Sequence, residues 1–516
     1  ALPVVAAGEL DNIHPIVLSE FFVPRLEKIQ FISKRPNAIG IRYVATENID
    51  LALRRGFQRL LDMKGALETS FEIQRVDEIP NDPRTGKLRL VCIERDGVSL
   101  QHGHEPLVSQ PSGQGFSLMM AETAAPVEKT NGCTRQGLVS REDSGQPVEA
   151  NAKFACVHSF IEAQAQRRPE SVSLVCGSQR LTYGELNGRA NQLARHLREL
   201  GVQPNSLVAI CVQRSVEMAV GILAVLKAGG AWVPLDPVHP SERQQFVLAD
   251  TQAEYLLTEQ ALLDQIPLQG AKKILLDGDR SSIERQSADN LDDITDPANL
   301  AYVMYTSGST GKPKGVMITH ANLTSYLVAM GQAIRLTPED NYLHTATIAF
   351  SSSVRQLLLP LANGAKVIVA TTDEIRQPLE LFAMAKRQRV TVIDVVPSYL
   401  RNSVSLLMSL HRSARQALLS NDIRLILTAS EPLQSDLPKK WWSDLGHNAS
   451  IINMFGQTEP TGIAAVFPVP KNYDDGNKLI PIGKAIPDTN IYLLDETMTP
   501  VPAGSAGEVY IGGPGV

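Results

Sequence analysis

The chain has no long basic run, no membrane-length apolar run and no paired cysteine spacing, and each absence closes a class of function. Formal net charge is −6 over 516 residues, which gives nucleic-acid binding no electrostatic footing. The longest strongly apolar stretch, 218–226, is far shorter than a bilayer span, so neither a nucleic-acid nor a membrane partner is expected. The five cysteines (Cys92, Cys133, Cys156, Cys176 and Cys211) are scattered. That suits a reducing cytoplasm better than a disulfide framework or a zinc site. The first residues, Ala1-Leu2-Pro3-Val4-Val5, lack both a Met and the positive start of a signal peptide, so an earlier beginning of the chain is expected. No short internal repeat is evident.

What is present is ordinary globular composition, 43% apolar and 20% charged, long enough for two or three domains. Residues 1–105 carry a mixed pattern. A strand is expected over 37–45, a helix over 49–62 from the spacing of Leu53, Phe57, Leu60 and Leu61, and paired strands at 72–73 and 88–93. Residues 106–152 are rich in Gly, Ser, Gln, Pro, Thr and Glu, the composition of a linker. From 153 to 516, apolar runs at 207–212, 366–370, 390–396 and 425–429 alternate with helical segments, among them one from Val216 closed by Gly229-Gly230. Such runs separated by helices argue an α/β fold with a parallel sheet covered on both faces.

The densest chemistry lies in Tyr305-Thr306-Ser307-Gly308-Ser309-Thr310-Gly311-Lys312-Pro313-Lys314-Gly315. Glycines let the backbone approach a ligand. Successive N–H groups, hydroxyls and lysine make an anion cradle, so the stretch reads as a triphosphate-binding loop rather than a solvated surface loop. It is not the P-loop pattern, because Pro313 follows Lys312 where a hydroxyl should serve magnesium.

This stretch resembles the signature loop of the adenylate-forming enzymes, and the resemblance continues in order along the chain. Leu181-Thr182-Tyr183-Gly184-Glu185-Leu186 and the motif from Leu226 through Trp232-Val233-Pro234-Leu235-Asp236-Pro237 match two early motifs. The second is characteristic of adenylation domains of nonribosomal peptide synthetases. Asn453-Met454-Phe455-Gly456-Gln457-Thr458-Glu459, after a strand expected at 450–452, matches a third, with Gln457 where the family usually has Pro. Ser430-Glu431-Pro432 matches the family's adenine-side segment, and 507–515 a later strand and glycine turn.

The resemblance implies the family's amino-terminal core: two stacked αβ subdomains plus a partial β-barrel subdomain, here behind a small α+β remnant. It implies ATP and Mg2+ as cofactors. Thr306, Ser307, Gly308, Ser309, Thr310, Gly311 and Lys314 would hold the polyphosphate, and Ser430, Glu431, Pro432, Asn453, Met454, Phe455, Gly456 and Thr458 the rest of the nucleotide. Phe455 would stack on adenine and Glu459 would hold the metal; Thr306, Lys314 and Glu459 are the catalytic candidates. A hard cation among carboxylate and phosphate oxygens is what attack on phosphorus requires. The expected partners are a small-molecule carboxylic acid, a peptidyl or acyl carrier domain bearing phosphopantetheine, and other synthetase modules. A later Asp motif and a mobile subdomain with a catalytic lysine would follow Val516 in the family, so the 516 residues are expected to be a truncated core.

The acid pocket departs from the family pattern. Carried over by motif, it comprises Phe350, Ser351, Ser352, Arg355, Asp394, Leu427, Ala429, Met454, Gly462 and Ile463. Ser351 stands where amino-acid-activating domains place an Asp for the substrate ammonium. A hydroxyl cannot balance a desolvated ammonium, so a hydroxy, keto, aryl or other plain acid is expected. Two readings of Arg355 and Asp394 stay open: they pair and line the pocket, or they recognise an amino or guanidino group elsewhere on the acid. Residues 1–105 weakly resemble the start of a condensation domain without its His-His motif; His102 and His104 at the linker edge lack the further ligands of a metal site. The alternatives to carrier loading are an acyl-CoA or fatty-acyl-AMP ligase of the same fold, and a non-catalytic adenylation-like scaffold.

Overall fold

The computed structural model describes residues 155–516 except 267–269, 308–312, 475 and 477, together with 2–6, 9–13, 26–35, 38–45, 54, 70–76 and 91–93. In the amino-terminal part, β1 (Leu2–Ala6) and β2 (Glu9–Ile13) form an antiparallel pair. A second sheet is built on the hairpin of β3 (Leu26–Arg35) and β4 (Ala38–Ala45), the latter matching the strand expected there. β5 (Ser70–Arg75) lies parallel to β4 and β6 (Val91–Ile93) parallel to β3, giving the order β5-β4-β3-β6. The expected pairing of 72–73 with 88–93 is therefore wrong. The tight β3–β4 hairpin takes the middle, and β5 and β6 lie at opposite edges, each parallel to its neighbour. The helix expected over 49–62, except Arg54, and the linker at 106–152 lie outside the described residues.

The larger unit begins with α1 (Val157–Arg167), which buries Val157, Ile161 and Ala165 at four-residue spacing. The hairpin β7 (Val172–Cys176) and β8 (Gln179–Thr182) follows. Helix α2 (Tyr183–Glu199) starts in a capping box: Thr182 Oγ1 accepts from the Glu185 amide, and the Glu185 carboxylate accepts from the Thr182 amide at 2.8 Å. Helix α3 (Val216–Ala228) is buried almost all round and closes at Gly229, whose φ of 92° needs a glycine.

Two sheets carry the core. The six-stranded one runs β12-β11-β9-β10-β13-β14, from β9 (Leu207–Cys211), β10 (Ala231–Pro234), β11 (Tyr255–Thr258), β12 (Lys272–Leu275), β13 (Leu300–Ser307) and β14 (Pro313–Thr319). Beyond it come α4 (His320–Ile334), β15 (Asn341–His344), α5 (Ser351–Ala362), β16 (Lys366–Val369), β17 (Val392–Val395), α6 (Pro397–Ser409), β18 (Leu425–Thr428), β19 (Ser450–Gln457), β20 (Gly462–Pro468) and β21 (Lys484–Ala485). The nine-stranded sheet has the order β21-β20-β19-β18-β17-β15-β16-β7-β8. Both interiors are parallel, as the apolar runs predict. Antiparallel strands stand at the edges: β14 on one sheet, β8, β20 and β21 on the other. A two-stranded ribbon, β22 (Asn490–Leu494) and β23 (Glu508–Gly512), completes the fold. Among the described residues no helix is long and apolar enough to cross a membrane, and Cys156, Cys176 and Cys211 are free and buried.

Candidate active site

Two hairpins carry the residues expected to meet the nucleotide. In the first, β13 and β14 pair with Thr306 opposite Lys314 and Ser307 opposite Pro313. Thr306, Ser307 and Lys314 are thus strand residues, not loop residues, and their backbones are engaged in the ladder. Gly308, Ser309, Thr310, Gly311 and Lys312, at the tip, lie outside the described residues. Lys314 is exposed and has no ion-pair partner among the described residues. The β13 end is anchored by Tyr305, whose hydroxyl donates to Asp250 Oδ2 at 2.5 Å and whose ring meets Phe246 edge to face.

In the second hairpin the strand does not stop at Ile452, as the sequence pattern suggested. β19 continues through Gln457, so Asn453, Met454, Phe455 and Gly456 are also strand residues and only Thr458 and Glu459 reach the turn. The buried Asn453 side-chain amide donates to Pro481 O at 2.8 Å, which satisfies it inside a sheet. The pairing slips between Phe455 and Gly456. There a Cβ on Gly456 would fall 2.0 Å from the Gly462 carbonyl oxygen, so no side chain fits. Gly462, at φ +151°, lies against Tyr326, whose ring would be 2.8 Å from an added Cβ. Phe455 is half-buried, while Glu459 is exposed without an ion-pair partner among the described residues.

Ser430, in the left-handed region at φ 72°, and Pro432 are exposed. The Glu431 side chain is already occupied: it accepts from the Ser398 amide and the Ser398 hydroxyl, both at 2.8 Å, at the start of α6. The Glu431 carboxylate is thus engaged within the protein, while Ser430 and Pro432 stay exposed.

The acid-side residues converge from four strands and a helix. Helix α5 starts at Ser351, with Phe350 at its N-cap and no side-chain cap. Ser351 and Ser352 are half-buried and Phe350 is 38% exposed. The Ser351 and Thr458 hydroxyls stand 3.4 Å apart, which brings the acid and nucleotide motifs together. One turn on, Arg355 makes a two-point contact with Asp394: Nε to Oδ2 at 2.8 Å and Nη2 to Oδ1 at 3.1 Å, both residues only 3% exposed. Tyr342 Oη donates to Asp394 Oδ2 at 2.9 Å, and Arg355 Nη1 reaches Tyr326 Oη at 3.5 Å. Burial works most strongly against the Arg355 charge, but the Asp394 carboxylate and the Tyr326 and Tyr342 oxygens together outweigh it and hold its pKa well above the usual range. Burial, with the same carboxylate, pushes Tyr342 well up and keeps it a donor. Of the two readings of this pair, mutual pairing is the one the structure contains. In-register pairing sets Asp394 beside Leu427 and Leu427 beside Ile452. Leu427, Ala429, Met454 and Ile463 are buried in the same hydrophobic cluster as Tyr326 and Tyr342.

Sequence reasoning missed Tyr326 and Tyr342. Neither belongs to a motif, and each arrives from a distant segment, so no local spacing marks them.

The donor set near Glu459 can be tested against magnesium. Among the described residues no group of three or more His, Cys, Asp or Glu side chains could hold a metal. One exposed carboxylate beside a threonine hydroxyl suits a cation that takes its remaining oxygens from a bound phosphate and water, as magnesium does.

Two largely parallel sheets, one ending in a hairpin that bears hydroxyls and a lysine and the other carrying a hairpin that leads to an exposed glutamate, are the architecture of an adenylate-forming enzyme core. The chain belongs to the AMP-binding enzyme family, matched over residues 161–516. It is 37% identical over 369 residues to tyrocidine synthase 3 of Brevibacillus parabrevis, covering 72% of this chain and 5% of that protein. It is 35% identical over 385 residues to malpinin synthetase of Mortierella alpina, covering 72% of this chain and 5% of that one. The chain thus spans less than a tenth of the length of these curated relatives. Among solved structures, the AMPPNP-bound form of the nonribosomal peptide synthetase FmoA3 matches with a TM-score of 0.64 at 28% identity, over 72% of this chain and 38% of that one.

Proposed function

We propose that this chain activates a carboxylic acid that lacks an α-ammonium group, for loading onto a phosphopantetheine thiol of a carrier domain in a peptide-synthetase assembly. A carboxylate oxygen of the acid attacks the α-phosphorus of ATP. The new P–O bond forms as the bond to the β-phosphate bridging oxygen breaks, giving acyl-AMP and pyrophosphate. Thr306, Ser307, Lys314 and the tip residues Gly308, Ser309, Thr310 and Gly311 hold the departing pyrophosphate. Phe455 stacks on the base, the 430–432 backbone lies along it, and Thr458 stands between nucleotide and acid. Glu459 would hold a magnesium ion, which when bound would supply charge neutralisation at the phosphates.

The observation that carries the substrate reading is the state of the two positions, Ser351 and Asp394, where an ammonium would need a counter-charge. Ser351 is neutral. Asp394 has both oxygens engaged by Arg355 and a third donor in Tyr342, so a bound amino or guanidino group would have to displace a buried pair. An unpaired buried charge costs several kcal/mol, which selects against amino acids. The AMPPNP complex of the FmoA3 relative supports the use of ATP. Carrier loading rests on the relatives being peptide synthetases.

The test is ATP–pyrophosphate exchange by the full-length protein against a panel of 2-hydroxy, 2-keto, aryl, α-amino, β-amino and guanidino acids. Hydroxy, keto or aryl acids should lead the panel; an ordinary α-amino acid at its head overturns the substrate reading. Transfer to a carrier thiol in preference to free CoA separates the proposal from an acyl-CoA ligase. ATP binding without exchange for any acid would indicate a scaffold.

A further inference from the structure

Arg214 lies just beyond β9, in the six-stranded sheet, yet its guanidinium serves the other sheet. Nε donates to Ala370 O at 2.8 Å, Nη1 to Ala346 O at 2.5 Å, and Nη2 to His344 O at 2.7 Å. Nη2 also stands 2.9 Å from His344 Nδ1. A guanidinium can only donate, so His344 Nδ1 is the acceptor and the ring proton sits on Nε2. That Nε2–H donates to Ser353 Oγ at 3.0 Å. Ser353 is buried in the first turn of α5, directly after Ser351 and Ser352.

The same turn is held a second time by Gln356. Its Oε1 accepts from the amides of Thr345 and Ala346 at 2.7 and 2.8 Å, and its Nε2 donates to Asp394 O at 2.9 Å. The start of α5 therefore hangs from the strand end of β15 by one serine and one glutamine, and β15 is tied to the other sheet by one arginine. Burial, and then the Arg214 charge, hold His344 well below the usual histidine range, so the ring stays neutral. Burial lowers Arg214 only to about 10, which leaves it charged.

We propose that Arg214 and His344 are positioning residues: through Ser353 they set the placement of the first turn of α5, and with it the acid-facing Ser351 and Ser352, without acting on the nucleotide. This rests on the acid-pocket assignment but not on which acid is bound.

The test measures exchange in the full-length protein with whichever panel acid gives the highest rate, amino acids included. Misplacing a substrate-facing group by a fraction of an ångström costs rate and affinity steeply, so His344→Leu should raise KM for the acid about tenfold and KM for ATP by less than about twofold. His344→Gln can accept from Arg214 and donate to Ser353, and should restore acid KM to within about threefold. Ser353→Ala removes only the far acceptor and serves if His344→Leu fails to fold. Equal rises in both KM values, or a Gln variant no better than Leu at matched melting temperature, overturn the proposal. An arm needing no acid reads the 15N signals of His344: a neutral Nε2–H ring unchanged between about pH 5 and 9 is expected, and an Nδ1–H ring or one that titrates overturns it. An amino acid heading the panel would defeat the substrate reading and leave this comparison of variants intact.

Discussion

The acid side and the nucleotide side of the site are built on opposite principles. Around Arg355 the polar groups are buried and paired with one another: Asp394, Tyr342, Gln356, His344 and Ser353 form a set closed within the protein. Around the two hairpins, Lys314 and Glu459 are exposed, without ion-pair partners among the described residues. The acid side carries its own counter-charges, and a ligand must fit what is left. On the proposed function, the nucleotide side leaves its charges for phosphate and cation to complete. A change on the first should appear as instability and altered selectivity, and a change on the second as lost catalysis in an intact fold.

The largest expected effect is on the buried pair. Asp394→Ala strands the Arg355 charge and one Tyr342 hydroxyl, and should cost about 3–5 kcal/mol of stability, read by urea unfolding. An apolar replacement of both partners, Arg355→Met with Asp394→Leu, should recover most of it. A loss below about 1 kcal/mol in the single variant would mean that the pair is not closed in solution. On the other side, Glu459→Gln should lower exchange by about a hundredfold while the melting temperature stays within error. Loss of stability in Glu459→Gln would erase the contrast between the regions.

That contrast also governs what the sequence made legible. Elements closed by local chemistry were readable: the Gly229 terminus of α3 and the apolar strands β9 and β18. The site motifs were readable by position but not by conformation. β19 runs on past the apolar run 450–452 because Asn453 pairs with Thr428 and Phe467 in the neighbouring strands, while Pro481 O satisfies its side-chain amide. The two strands β5 and β6 were paired on adjacency, when β3 and β4 lie between them. Arg355 and Asp394 were visible as pocket positions with two readings open. Their closure by Tyr342, and the tie through Arg214, come from segments far away in sequence, where no periodicity reaches.

A smaller effect sharpens the comparison through pH. Burial lowers the pKa of His320 to about 3, and burial with Arg214 holds His344 well below its ordinary range. In the unfolded chain both bind a proton below about 6.5; in the folded protein neither does. Their stabilising share is therefore full above that value and falls as pH drops through it, by about 1.4 kcal/mol per pH unit for each ring. Unfolding free energies between about pH 6.5 and 5 should show this slope. His344→Gln should reduce it by one proton's worth; an unchanged slope would mean that His344 takes up a proton in the folded state.

The smallest expected effect falls where the two regions meet. Glu431 sits in the adenine-side segment, yet its carboxylate is bound to the Ser398 amide and hydroxyl at the start of α6. A carboxylate in that place acts as a helix cap, worth about 1 kcal/mol, and helped by the positive end of the helix dipole. If the base meets only the backbone here, Glu431→Ala should lower stability by about that amount and leave KM for ATP within about twofold. A tenfold rise in KM for ATP at unchanged stability would assign the side chain to the nucleotide instead. It would also show that the closed, self-paired arrangement of the acid side does not extend to this segment, because a ligand would then have to displace Ser398 to reach it.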